Sequence, residues 1–259
     1  MKRALVTGAS ARLGRAMALS LGRAGWDVAL HFSSSGIAAE GVVGDLDALG
    51  RKSVALRADL ADETQTQTLV ARAAQDLGGP LTLLINNAAA FEHDTIQTAT
   101  RASWDTHINV NLRAPFVLCQ NFAEQAPKAV IDAGEEPLAQ ASIINIVDQR
   151  VRKLTPHFMT YTLAKSALWT LTQTAAQGLA PDVRVNAIGP GPTLIGARES
   201  DSHFARQRAG TVLGRGSDVE DVTGAMHYLI GAKSVTGQLI CTDGGQHLGW
   251  KTPDIEARK

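Results

Sequence analysis

The feature that most constrains this chain is an alternation. Seven short, largely apolar runs are divided by stretches with helical periodicity: Ala4-Leu5-Val6, Val28–Phe32, Ser53–Leu56, Leu81–Ile85, residues 142–147, Val183–Ile188 and Gln238–Cys241. Continuous β-branched runs suit strands buried on both faces, and parallel neighbours need long crossovers, which helices supply. The pattern predicts an α/β fold: a Rossmann-like, doubly wound parallel seven-stranded sheet with helices on both faces, one domain over residues 1–259. Helices are expected after the first run, at 37–49, 63–77 and 159–179, and as one long helix over about 101–125. Val130 to Gln140, with Gly134 and Pro137, reads as a plain connection. No linker, internal repeat or low-complexity segment interrupts the pattern.

The first run ends in Thr7-Gly8-Ala9-Ser10-Ala11-Arg12-Leu13-Gly14. Glycines between a strand and a helix let backbone approach a pyrophosphate seated on the helix N-terminus. The spacing is Thr-Gly-x3-Arg-x-Gly rather than the plain GxGxxG. A site for NAD wants an acid at the end of the second strand, bonded to the ribose diol. Asp27 precedes that strand and so sits at the wrong end, where it reads as turn chemistry. The other end reads His31-Phe32-Ser33-Ser34-Ser35, with no acid. Those hydroxyls and the Arg12 guanidinium suit a 2′-phosphate, so NADPH is the expected cofactor.

A second constellation lies between Asp148 and Lys165. Tyr161 and Lys165 are four apart on an expected helix and share a face. An ammonium beside a phenol favours the phenolate, so the Tyr161 pKa is expected to fall from about 10 toward neutral. A phenol tuned that way can give up and recover a proton. Asp148 closes the strand Ile143–Val147 and can converge on the same site. The competing reading is a surface tyrosine–lysine pair.

Composition narrows the partners. Lys+Arg 25 balances Asp+Glu 25, so no bulk charge points to nucleic acid or an anionic membrane. The 44% apolar share can build a sizeable core. No apolar run reaches the roughly 18 residues of a membrane span. Met1-Lys2-Arg3 leads into a strand rather than a signal peptide. Cys119 and Cys241 read as buried thiols, which fits a reducing cytoplasm, and the seven histidines show no metal-ligand spacing.

Taken together, Thr7-Gly8-x3-Arg12-x-Gly14, Asn86-Asn87-Ala88, Asn111, Tyr161-x3-Lys165 and Pro190-Gly191 resemble the short-chain dehydrogenases/reductases, over essentially the whole chain and in the family's order. The resemblance implies Tyr161 as proton donor, Lys165 as its partner and a ribose ligand, and Asn111 as holder of a proton-relay water. It places Gly8, Leu13, Gly14, Asn87, Ala88, Pro190, Gly191 and Thr193 around the cofactor, with Asp59 and Leu60 at the adenine. It further implies a lid at about 190–216 and, through the 101–125 and 159–179 helices, a homotetramer.

One departure is informative. The family usually has serine thirteen residues before the tyrosine, and here that residue is Asp148. A carboxylate cannot donate to a carbonyl, but it accepts from N–H groups, which suits a substrate with an amino-amidine edge. In this the chain resembles the pteridine reductase branch, which also has arginine in the glycine turn and a phenylalanine where Phe91 stands. There the phenylalanine stacks the pterin against the nicotinamide. Ala89 departs from the serine common in that branch. Core packing for Phe91, and an ion pair from Asp148 to Arg150 or Arg152, are the competing readings. The expected function is NADPH-dependent reduction of a pterin, dihydropterin or dihydrofolate-like substrate through Asp148, Tyr161, Lys165 and Asn111. The rivals are reduction of another small carbonyl or imine compound, and a non-catalytic NADPH sensor.

Overall fold

The structure, a computed structural model, describes residues 2–196, 200–252 and 255. Seven parallel strands form one sheet in the order β3-β2-β1-β4-β7-β8-β9. These are β1 (Arg3–Val6), β2 (Asp27–Phe32), β3 (Ser53–Arg57), β4 (Leu83–Asn86), β7 (Ala141–Ile146), β8 (Val183–Pro190) and β9 (Leu239–Thr242). The expected doubly wound sheet therefore forms. Alternate strand residues face opposite layers. Leu5, Leu84 and Ile143 pack against α3 (Glu63–Leu77) and α5 (Ala114–Gln125). Val6, Leu83, Ile85 and Ile144 pack against α1 (Arg12–Arg23), α2 (Gly36–Ala48) and α8 (Val219–Gly231).

The winding reverses between β1 and β4, which pair directly through Val6 and Ile85. Loops that leave neighbouring strands in opposite directions open a crevice at the carboxyl ends, the usual ligand position in such sheets. The register sets Ile85 beside Ile144, and Ile144 beside Asn186, so the loops after β1, β4, β7 and β8 emerge along one edge. Buried side-chain amides tie this edge internally. Asn86 donates to Asn145 at 2.8 Å, and Asn145 to Thr172 of α6 (Met159–Gly178) at 2.9 Å.

Four elements differ from the sequence expectation. The 101–125 helix is α4 (Arg101–Ile108), a π turn (Asn109–Arg113) and α5. The segment 130–140 holds a small antiparallel hairpin, β5 (Val130–Ile131) with β6 (Pro137–Leu138), whose turn is fixed by Asp132 accepting from Gly134 N. Helix α7 (Asp201–Ala209) lies inside 190–216, and residues 197–199 of that stretch lie outside the described residues. Helix α8 was not foreseen. Its signals are an Asp218–Asp221 capping box and the spacing of Val222, Met226 and Leu229. Cys119 is buried, which pushes its thiol up to about 12; both cysteines are free. Among the described residues no helix is long and apolar enough to cross a membrane, and no three His, Cys, Asp or Glu gather to hold a metal.

The glycine turn sets the tightest steric demand. Gly8 has φ +64°, and a Cβ on Gly14 would run into the Gly8 carbonyl. Gly14→Ala is expected to distort the turn, lowering stability by about 1–3 kcal/mol as overpacking does and weakening cofactor affinity more than substrate affinity. Thermal melts with and without dinucleotide check this; an alanine variant with the parent's melting point and dinucleotide shift contradicts it.

Candidate active site

A cleft of about 1110 Å³ runs along the carboxyl edge of the sheet. One half is built from the glycine turn. His31, buried at the end of β2, accepts the Gly8 N–H at Nδ1 (3.1 Å), so its proton sits on Nε2, 3.1 Å from the Ala58 carbonyl. Burial lowers its pKa and keeps it neutral in this role. The His31 side chain, expected to meet the cofactor, is thus occupied in shaping the turn. Thr7 Oγ accepts from Asn87 N and Ala88 N at 2.9 and 3.0 Å, and Asn87 Nδ2 donates to Thr7 O at 2.8 Å. Gly8, Leu13 and Gly14 line the floor, with Asp59 and Leu60 at one side.

Ser33, Ser34 and Ser35 are exposed on the cleft wall with no carboxylate among them. Asp27 is at the opposite end of β2, accepting Lys52 N at 3.0 Å, as its reading as turn chemistry requires. Arg12 corrects the expectation. Its guanidinium donates to the carbonyls of Leu194 (2.9 Å) and Ile195 (2.7 Å), clasping the chain after Thr193. Arg57, which sequence reasoning missed, donates to Ser33 O at 3.2 Å and brings a guanidinium beside the serines. Its signal was available: it is the last residue of a strand whose neighbour ends at those serines. The turn leaves room for a dinucleotide backbone, and the serine wall with Arg57 fits a 2′-phosphate better than a ribose diol.

The other half lies where β7 meets α6. Asp148 caps a 3-10 turn (Gln149–Val151), its Oδ1 accepting from Arg150 N at 2.8 Å. Its Oδ2 accepts from Tyr161 Oη at 3.1 Å and from Arg150 Nη1 at 3.0 Å. The ion pair to Arg150 that competed for Asp148 is thus present, and the same carboxylate also meets Tyr161. Lys165 is buried, donates to Ile146 O at 2.7 Å, and sits 5.9 Å from the Tyr161 ring centre. Here the expected fall in the Tyr161 pKa is overturned. Burial, then the Asp148 charge, raise it well above 10, because the phenol bonds a carboxylate and the ammonium bonds a carbonyl instead. Burial brings Lys165 down to about 8, with Asp148 opposing.

Asn111 lies in the π turn, fully buried. Its Oδ1 accepts from Ala90 N (2.8 Å) and its Nδ2 donates to Ala90 O (2.9 Å). Its amide positions the loop carrying Phe91. Phe91 is half-exposed in the cleft, not in the core. It stacks on Phe158 at 4.4 Å and 5°, and meets Tyr161 edge-on at 4.8 Å. Phe158, unforeseen, holds a left-handed backbone (φ +56°) at the start of α6, uncommon for a bulky residue and tolerated where surroundings over-determine it.

Those surroundings are a buried relay also invisible to sequence reasoning, since its members are far apart in the chain. Asp94 accepts from Thr160 N at 3.1 Å and from Thr160 Oγ. His107 Nε2 accepts from Glu92 N at 3.1 Å, so its Nδ1 carries the proton offered to Thr160 Oγ at 2.6 Å. The relay ties the Phe91 loop to the first turn of α6. Pro190 at the end of β8, with Gly191 and Thr193 after it, borders the cleft, and His203, Phe204 and Gln207 of α7 face it from the expected lid. Gly191 N donates to Thr242 O at 3.0 Å.

The family profile described as short chain dehydrogenase matches residues 2–204. An uncharacterized oxidoreductase of Methylorubrum extorquens is 32% identical over 94% of this chain and 97% of its own length. The 3-oxoacyl-[acyl-carrier-protein] reductase of Staphylococcus aureus is 29% identical over 95% and 98%. Among solved structures, FolM alternative dihydrofolate reductase 1 from Brucella suis, in complex with NADP, is 38% identical, covers 98% of each chain and superposes with a TM-score of 0.90.

Proposed function

The chain belongs to the short-chain dehydrogenase family, and we propose that it reduces a pterin or dihydropterin with NADPH. The observation that carries the reading is Asp148. A carboxylate stands where a donor to a substrate carbonyl would be needed, and it touches Tyr161 beneath an aromatic shelf formed by Phe91. A flat heterocycle stacked on Phe91 would turn its N–H edge to Asp148 and a ring nitrogen to Tyr161. The likeness to a dihydrofolate reductase solved with NADP supports both substrate class and cofactor.

In this reading the cofactor supplies hydride to a ring carbon. The chain's own residues do the rest. Gly8, Gly14, Asn87 and Ala88 receive the dinucleotide, with Ser33–Ser35 and Arg57 at the 2′-phosphate. Tyr161 delivers a proton from Oη to the adjacent nitrogen, and Asp148 orients the phenol while receiving the substrate edge. Lys165, held by Ile146 O, keeps a cation below the phenol. Since Lys165 loses its charge near pH 8, kcat/KM is expected to fall as pH rises through about 8. Lys165→Arg, which stays charged, should remove that limb; a limb unchanged in the arginine variant assigns it to another group.

The likeness to a 3-oxoacyl reductase favours a second reading, reduction of a ketone. The deciding experiment is turnover of dihydrobiopterin, dihydromonapterin, dihydrofolate and a ketone and β-ketothioester panel with NADPH and NADH. Ketone turnover without pterin turnover replaces the first reading with the second, and no turnover on any of them favours the sensor. As for assembly, exposed Trp104, Phe116 and Leu163 lie on α4, α5 and α6, which supports a homotetramer built through these helices.

A further inference from the structure

Asp148 is nearly saturated before any substrate arrives. A carboxylate offers about four lone-pair sites, and three donors already use them: Arg150 N on Oδ1, and Tyr161 Oη and Arg150 Nη1 together on Oδ2. A paired N–H edge needs two acceptor positions in one plane. It finds them only if the Arg150 guanidinium leaves Oδ2.

The guanidinium has somewhere to go. Its carbon is 5.0 Å from the Phe158 ring centre and 5.5 Å from that of Phe91. The rings are themselves 4.4 Å apart. Three such similar distances place the cation beside the stack, at the ring edges, where its side chain is already partly open to solvent. The Arg150 side chain is 23% exposed against 13% for Asp148. Release therefore moves a cation a short way toward water and leaves the carboxylate to the substrate. Lys165, committed to Ile146 O, does not replace it.

We propose that Arg150 is a specificity-determining residue: a resident cation on Asp148 that a substrate bearing paired N–H donors displaces onto the Phe91–Phe158 stack. This rests on the reading of Asp148 given above. A ketone, which lacks those donors, leaves the Arg150–Asp148 pair closed.

The probe is isocytosine, which carries the N–H fork without a reducible pyrazine ring, titrated by calorimetry into the NADP-loaded enzyme. Arg150→Met removes the competitor, so isocytosine should bind about tenfold tighter, the worth of one charged hydrogen bond. Arg150→Lys, which keeps the cation, should stay within about twofold of the parent. With a turned-over pterin, Arg150→Met should lower KM, because the substrate no longer has to displace the guanidinium from Asp148. A merely structural arginine would raise KM and lower the melting temperature instead. Unchanged or weaker isocytosine binding in Arg150→Met overturns the inference, as does equal tightening in Arg150→Lys. If isocytosine tightens as expected but the parent reduces no pterin, the substrate reading fails and the role of Arg150 stands.

Discussion

Tyr161→Phe is expected to lower kcat by about a thousandfold, the middle of the range for a lost general acid, with NADPH affinity held within about twofold of the parent. The separation follows from where each atom of the side chain lies. The ring is buried and packs edge-on against Phe91 and His107, and phenylalanine keeps those contacts. Only Oη is lost, and with it the 3.1 Å bond to Asp148. Asp148 keeps its Arg150 partners, so no buried charge is stranded. The raised Tyr161 pKa adds a requirement: the phenol is the protonated species at working pH, a proton source and not a standing phenolate. Single-turnover NADPH oxidation with saturating substrate isolates the chemical step. A variant within tenfold of the parent there would move the proton-donor role to another group or to water.

The fold was legible because its determinants are local and repeated. Runs such as Ile143–Val147 are apolar apart from Asn145 and buried throughout, and only a sheet covered on both faces accommodates that. The cleft's position followed from the glycine turn and the Tyr161–Lys165 spacing, which are also short-range. What stayed hidden depends on contacts across the chain. The Asp94–Thr160–His107 relay spans three segments, and nothing near Thr160 announces that its hydroxyl will be clamped. Phe158 sits three residues before Tyr161, yet its left-handed backbone and its stack on Phe91 are decided by that relay and by the loop that Asn111 holds.

Electrostatic expectations failed for the same reason. Spacing places Lys165 and Tyr161 on one helix face, but not which acceptor the ammonium chooses. The Ile146 carbonyl takes it, and the phenol turns to Asp148. Likewise Arg12 has the right position for a phosphate, while its reach carries it to the carbonyls of Leu194 and Ile195. Arginine in a turn is legible; the direction of a long flexible side chain is not.

Asp148→Ser should separate the two substrate classes. Serine restores the residue common in the wider family and keeps local structure, because its hydroxyl can still cap the 3-10 turn by accepting Arg150 N. What disappears is the charge and the second acceptor. For a pterin, a charged hydrogen bond to the N–H edge goes unmade in the transition state, about 2–4 kcal/mol, or roughly 30- to 1000-fold in kcat/KM. For an activated ketone, serine gains a donor to the carbonyl oxygen, and Tyr161 is freed from the carboxylate that raises its pKa, so the rate should hold or rise. Arg150 is left without its partner and is free to rest on Phe91 and Phe158, which keeps the cation solvated and the variant folded. The measurement is kcat/KM for both substrates on parent and variant between pH 6 and 9. A common fall would make Asp148 a support for Tyr161 alone and remove the chemical argument for a pterin. Opposite responses would tie substrate choice to one carboxylate, since nothing else at the end of β7 changes between the two enzymes.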